Sequence, residues 1–308
     1  MRLLLLLTAW TSISWGTTFY VTVAGLGGGA DYEQRFSGWS QEIDQVLHQA
    51  GGDARVHTLA GETASKEILR LTLEGIARQA TSADALAVML IGHGTYDGYN
   101  YKFNLPGPDI TGIELAGLLD RVPASRQMVA NMTSASGASI AALRKPNRTV
   151  ITATKSGTQR NAVVFARYWA AALQDAAADT DKNEVISALE AFDFANRKAQ
   201  EFYTTQKRLA TEHALLEDTG SGEGVREPSV QNGTGLQARQ FALLRIGATQ
   251  LAAQDPAKKP LLEQKESLES EIDRLKYEKA AMPLEEYREK LTELLLELAR
   301  TQRELDSQ

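Results

Sequence analysis

Ala85-Leu86-Ala87-Val88-Met89-Leu90-Ile91-Gly92-His93-Gly94 is an unbroken apolar run that ends in a histidine between two glycines. A run of this length with no polar alternation is the pattern of a strand buried on both faces of a sheet. On either side of this run, strand-like and helix-like segments alternate. Phe19 to Ala24 is an apolar, β-branched strand ending in glycines, and a helix is expected from about Gly38 to Ala50. Arg55 to Leu59 reads as a strand and Lys66 to Gln79 as an amphipathic helix carrying Ile68, Leu71, Leu73 and Ile76. Tyr101 to Leu105 suits a hairpin arm and Ile113 to Leu119 a helix, while Met128 to Thr133 and Val150 to Thr154 are strands flanking a helix at Ala138 to Leu143. Alternation of this kind predicts an α/β protein whose mostly parallel central sheet is covered by helices on both sides, in three layers. Ligands of such sheets sit at the carboxyl ends of the strands.

Composition narrows the function classes. The chain has 308 residues, 43% of them hydrophobic and 23% charged, and a net charge of -6. That balance, without any basic cluster, argues against nucleic acid as a partner and favours a peptide or protein ligand. Residues 1–16 read as a signal peptide. Met1-Arg2 is the positive start, the apolar run opens at Leu3 to Leu7, and Ser14 and Gly16 are the small residues before a cleavage at Thr17. The run is too short to span a bilayer, so no transmembrane segment is expected after cleavage and the mature chain is expected to be periplasmic or secreted. The absence of cysteine excludes disulfides, thiolate metal sites and a thiol nucleophile. For an exported protein it favours a bacterial periplasm.

Later in the main domain, assigned to residues 17–250, the alternation gives way to helix and loop. Val163 to about Gln206 is helical with an interruption near Asp179, and Gly220 to Gly235 is a glycine-rich surface loop. In residues 256–308, Leu268, Ile272 and Leu275 recur at helical spacing, Met282-Pro283 breaks the run, and Leu284, Tyr287, Leu291, Leu294, Leu298, Thr301 and Leu305 follow at steps of three and four. Pro283 suits the first turn of a helix. The expectation is a C-terminal α-helical hairpin with a coiled-coil-like seam, through which a homodimer could form.

Gly25-Leu26-Gly27-Gly28-Gly29-Ala30 fits the dinucleotide pattern G-x-G-x-x-A, but that mechanism needs a helix to begin inside the turn. With a helix expected only near Gly38 and no terminal acid on the second strand, the run is read as a loop beside the site, and no cofactor is assigned. His93 is the leading candidate for chemistry, because flanking glycines let a substrate backbone approach a base. A later strand ends in Thr133-Ser134-Ala135-Ser136-Gly137, placing Ser134 41 residues after His93 on a neighbouring strand end. The G-x-S-x-G elbow is absent.

A hydrophobic strand ending in His93-Gly94, followed by a strand ending in a nucleophile position and x-Ser-Gly, resembles the legumain-like branch (peptidase C13, clan CD) of the caspase-like peptidases. Similarity extends from Phe19 to roughly Leu216, including Asp31-Tyr32 and Thr211-Glu212-His213. The resemblance implies a caspase-like three-layer fold and a dyad of histidine and cysteine, with the nucleophile's amide and the glycine after the histidine binding the oxyanion. Carried over, these positions are His93, Ser134 and Gly94. Serine stands where the family has its cysteine. The family's asparagine and basic pair are replaced by Asp31, Glu33 and Gln34, so its specificity pocket is not carried over. A thiol with pKa near ~8.5 needs modest help to ionise, whereas a serine hydroxyl needs a base acting during attack, itself oriented by a third group. Asp97 is the nearest carboxylate in sequence to His93. Two readings follow: a degenerate, non-catalytic peptidase-fold module that binds or regulates, or an active serine-dependent peptidase or esterase using His93 and Ser134.

A second pattern runs through Asp179-Thr180-Asp181-Lys182-Asn183-Glu184-Val185-Ile186-Ser187-Ala188-Leu189-Glu190. Asp179, Asp181, Asn183 and Ser187 fall at loop positions 1, 3, 5 and 9, with Glu190 at 12, the spacing of a Ca2+ loop. Glu184 stands where a glycine normally permits the turn. The competing reading is an acidic helix start, with Asp181 or Asn183 as cap.

Overall fold

The computed structural model describes residues 16–49 and 54–307. The proposed leader therefore lies outside the described residues, apart from Gly16. Six strands form the central sheet: β1 (Thr18–Ala24), β2 (Ala54–Leu59), β3 (Ala85–Gly92), β7 (Arg126–Thr133), β8 (Arg148–Thr152) and β10 (Leu215–Glu217). Their order is β10-β8-β7-β3-β1-β2, all parallel except β10, which runs antiparallel to β8. Three short strands, β4 (Gly94–Tyr96), β5 (Tyr101–Phe103) and β6 (Ile110–Thr111), form an antiparallel arm that leaves the end of β3. A further pair, β9 (Val185–Ser187) with β11 (Ala242–Arg245), is also antiparallel.

Helices cover both faces. On one lie α1 (Ala30–Gln49), α5 (Phe165–Ala172) and α6 (Ala188–Thr205); on the other α2 (Lys66–Gln79), α3 (Gly112–Leu119) and α4 (Ile140–Leu143). The strict alternation of a strand sorts β3 between them. Ala85, Ala87, Met89 and Ile91 pack with Phe36, Ile43, Trp169 and Phe192, whereas Leu86, Val88 and Leu90 pack with Leu69, Leu73, Ile76 and Leu115. All eight residues of β3 are buried, so the three-layer α/β class and the mostly parallel sheet are as expected.

The helix after β1 begins at Ala30, well before the expected Gly38. Tyr32 and Phe36 extend its apolar stripe back by two turns, and Glu33 Oε1 accepts from Gly27 N at 2.7 Å, fastening the first turn to the glycine loop. Asp31, Glu33, Gln34 and Arg35 hid that stripe in the sequence. The segment after Ser134 is also tighter than expected, a 3-10 turn (Ser136–Ser139) leading into the single turn of α4.

The remaining helices are α7 (Leu236–Gln240), α8 (Gly247–Gln254), α9 (Lys259–Glu278) and α10 (Leu284–Ser307). The last two form the expected helical hairpin. Leu262, Leu268, Ile272 and Leu275 of α9 are buried, and Arg245 reaches Glu266 with two bonds of 2.7 and 2.8 Å. Thr301 and Leu305 are the buried residues of α10; Leu284, Leu295 and Leu296 stand about half exposed (53%, 47% and 54%). Among the described residues no helix is long and apolar enough to cross a membrane.

Candidate functional site

The β3–β7 register pairs Gly92 with Thr133, so the next residues on each strand, His93 and Ser134, leave the sheet side by side. The two backbones meet closely. A side chain at Gly94 would lie 2.5 Å from Ser134 O, 2.6 Å from the Tyr101 ring and 2.7 Å from Thr133 Oγ1, so only glycine fits there.

The side chains then part. Ser134 is 2% exposed, and its Oγ accepts from Gly94 N and donates to Gly94 O, both at 3.1 Å. The His93 ring instead lies edge-on to Tyr32 (4.8 Å between centroids) and Phe36 (5.1 Å), with a hydrogen bond to the Gly27 main chain. Among the described residues no hydrogen bond joins His93 to Ser134. Burial holds the imidazole pKa below its ordinary value, against the opposing pull of the Gly27 bond and the Glu33 charge, which favours the neutral ring. Asp97 supplies no third group: its carboxylate accepts from Tyr99 N and Asn100 N in the β4–β5 turn and faces Lys102.

Beneath Ser134 runs a buried polar network that the sequence did not disclose. Tyr101 OH donates to Asn131 Oδ1 at 3.0 Å and meets Thr133 Oγ1 at 2.6 Å; Asn131 Nδ2 donates to Ser139 Oγ at 2.9 Å, and that hydroxyl to Ser136 O at 2.7 Å. Ala135 holds a left-handed conformation (φ 56°) without being glycine, the sparsely populated geometry found at strained functional turns. Its amide donates to Gln159 O at 2.8 Å, and the Gln159 side chain meets His213 Nδ1 at 2.6 Å. His213 is thus tied to the Ser134 turn through Gln159. Glu212 beside it is 6% exposed, accepts from Val164 N, Phe165 N and Tyr203 OH, and is pushed by burial to a pKa of about 7 despite those bonds.

The glycine loop does open directly into a helix N-terminus, but Glu33 takes the Gly27 amide. A carboxylate of the protein itself therefore stands where an anionic ligand group would sit.

In the Asp179–Glu190 loop, oxygens of Asp179, Asp181 and Glu190 lie within 4.8 Å of one another. Asn183 and Ser187 turn elsewhere. Asn183 Oδ1 accepts from Val185 N and its amide donates to Glu269, while Ser187 and Glu190 form a reciprocal cap on α6. Arg239 bonds Asp181 and lies 3.4 Å from Glu190. Asp218, just before the glycine-rich loop, caps α7 through Gly235 N, Gln237 N and Ala238 N.

No family model and no curated protein matches the chain. Among solved structures it is similar to the Drosophila initiator caspase Dronc, at 9% identity over 68% of this chain and 82% of that one, with a TM-score of 0.43. It is similar to protein GSU0716 from Geobacter sulfurreducens at 10% identity over 75% and 99%, TM-score 0.47. Likeness to drICE is at 11% identity over 66% and 87%, TM-score 0.39.

Proposed function

We propose that this chain is an exported, non-catalytic binding or regulatory module on a peptidase-like fold, taking a peptide or protein ligand at the strand ends around His93 and Ser134. One observation carries the reading: the Ser134 hydroxyl gives both its donor and an acceptor site to Gly94, while His93 is packed against Tyr32 and Phe36. Serine attack needs a base within hydrogen-bond reach of the hydroxyl. By the resemblance, Gly94 N is also an oxyanion donor, and here the would-be nucleophile bonds it. Periplasmic or secreted localisation rests on the leader pattern of residues 1–16 and the lack of cysteine. The half-exposed leucines of α10 support a second copy of the chain as partner.

The test uses mature protein recovered from the periplasm or medium, expected to begin at Thr17. It is treated with a serine-directed phosphonate and assayed on peptide and ester libraries. Neither labelling nor turnover is expected. Labelling of Ser134 that disappears in His93→Ala would overturn the non-catalytic reading in favour of a serine hydrolase. Recovery only from the cytoplasm with Met1 intact would remove the export proposal.

A further inference from the structure

The loop from Asp179 to Glu190 holds a buried acid that the peptidase-like site does not use. Asp179 is 4% exposed; its Oδ2 accepts from Glu184 N at 3.1 Å, and its Oδ1 has no hydrogen-bond partner among the described residues. A buried carboxylate oxygen without a partner is costly, and native structures supply one, commonly a proton donor or a metal ion. Here the oxygens of Asp181 and Glu190 lie in the same cluster. Asp179, Asp181 and Asn183 each use one side-chain oxygen to shape the loop. Asp179 takes the Glu184 amide, Asp181 takes the Asn183 amide at 3.3 Å and Asn183 takes the Val185 amide at 2.9 Å. Glu184 accepts the left-handed turn (φ 63°) in place of glycine, β9 follows, and Glu190 enters on the first turn of α6.

The neighbouring cations do not balance this charge. Arg239 is shared between Asp181, Glu190 and Asp273, so one guanidinium serves several carboxylates. Lys182 Nζ bonds the carbonyls of Ala176 and Asp179 rather than a carboxylate, and Lys265 Nζ lies 4.0 Å from Glu269. Glu190 itself accepts from Thr180 at Oε1 and from Ser187 at Oε2.

We propose that this loop binds one calcium-class divalent cation, ligated by Asp179 Oδ1 with the carboxylates of Asp181 and Glu190. The donors are all hard oxygens. Calcium tolerates an irregular set of six to eight such ligands completed by water or main-chain carbonyls, whereas magnesium demands a compact octahedron. Arg239 competes for Asp181 and Glu190, which places the affinity at the weak end of the calcium-loop range. The inference is independent of whether the Ser134 site reacts.

Equilibrium dialysis of the full mature chain against radiolabelled calcium, with excess magnesium present, tests it. One ion per chain is expected, with Kd on the order of 10⁻⁴–10⁻³ M. Asp179→Asn, which keeps an acceptor for the Glu184 amide, is expected to weaken binding at least about tenfold while melting in chelator like the wild type. Asp31→Asn, an acid outside the loop, is expected to bind as the wild type. Absence of binding at about 5 mM calcium, or equal binding by wild type and Asp179→Asn, overturns the proposal.

Discussion

Ser134 shows how one hydroxyl can be structural where its position suggests chemistry. Replacing it with alanine leaves both Gly94 N and Gly94 O without their partner in a buried place. The expected loss is about 1–3 kcal/mol in denaturant unfolding; a Ser134→Ala variant as stable as the wild type would show that the clasp contributes nothing. Glu212 gives a pH signature of its own. Its folded pKa, about 7, lies above its unfolded value because burial outweighs the Val164, Phe165 and Tyr203 bonds. The folded state therefore holds a proton that the unfolded chain has lost, so stability falls as pH rises from the unfolded pKa through about 7 and levels off above it. In Glu212→Gln that proton is no longer needed. The variant is expected to gain in Tm over the wild type as pH goes from about 5 to about 8, and a pH-independent difference would count against the assignment. The direction of the His93 ring was not legible in advance. It depends on Tyr32 and Phe36, far away in sequence.

At the level of elements, the sequence was most informative where hydrophobic periodicity was undiluted. Ala85 to Ile91, Lys66 to Gln79 and the two helices of the hairpin were readable from the spacing of their apolar residues, although Leu71 and Leu284, both on the expected apolar faces, are exposed. The start of α1 was not, since four polar residues surround Tyr32 and Phe36 supplies only one clear marker of the stripe. The polar network of Tyr101, Asn131 and Ser139 was invisible for a different reason: its members are joined by contacts across the sheet and arm, which leave no spacing in the chain. The hairpin carries a prediction at this scale. An antiparallel pairing of two α10 helices centred on Leu296 would set Arg288 against Glu304 and Glu289 against Arg303 of the other copy, a self-complementary pattern suited to a two-fold contact. Sedimentation is expected to give a dimer for the wild type and a monomer for Leu296→Glu, whose exposed position spares the fold. Equal sedimentation coefficients for the two would exclude this interface.

For the whole molecule, sheet order decides what the candidate site can be. Placing β3 between β1 and β7 gathers the glycine loop, His93 and the Ser134 turn at one rim, and this gathering followed from the alternation of strands and helices alone. The reactive competence of the rim did not follow, because it depends on rotamers set by packing from α1 and the arm. The Gly94–Ser134 clasp also joins two elements, since Gly94 opens the three-stranded arm and Ser134 directly follows β7. A hydrolytic cleft must yield at this seam for a carbonyl to enter. On the proposed binding reading, a seam held in this way would present the rim to a ligand as a fixed relief, selecting by shape what a pliable mouth would select by closing.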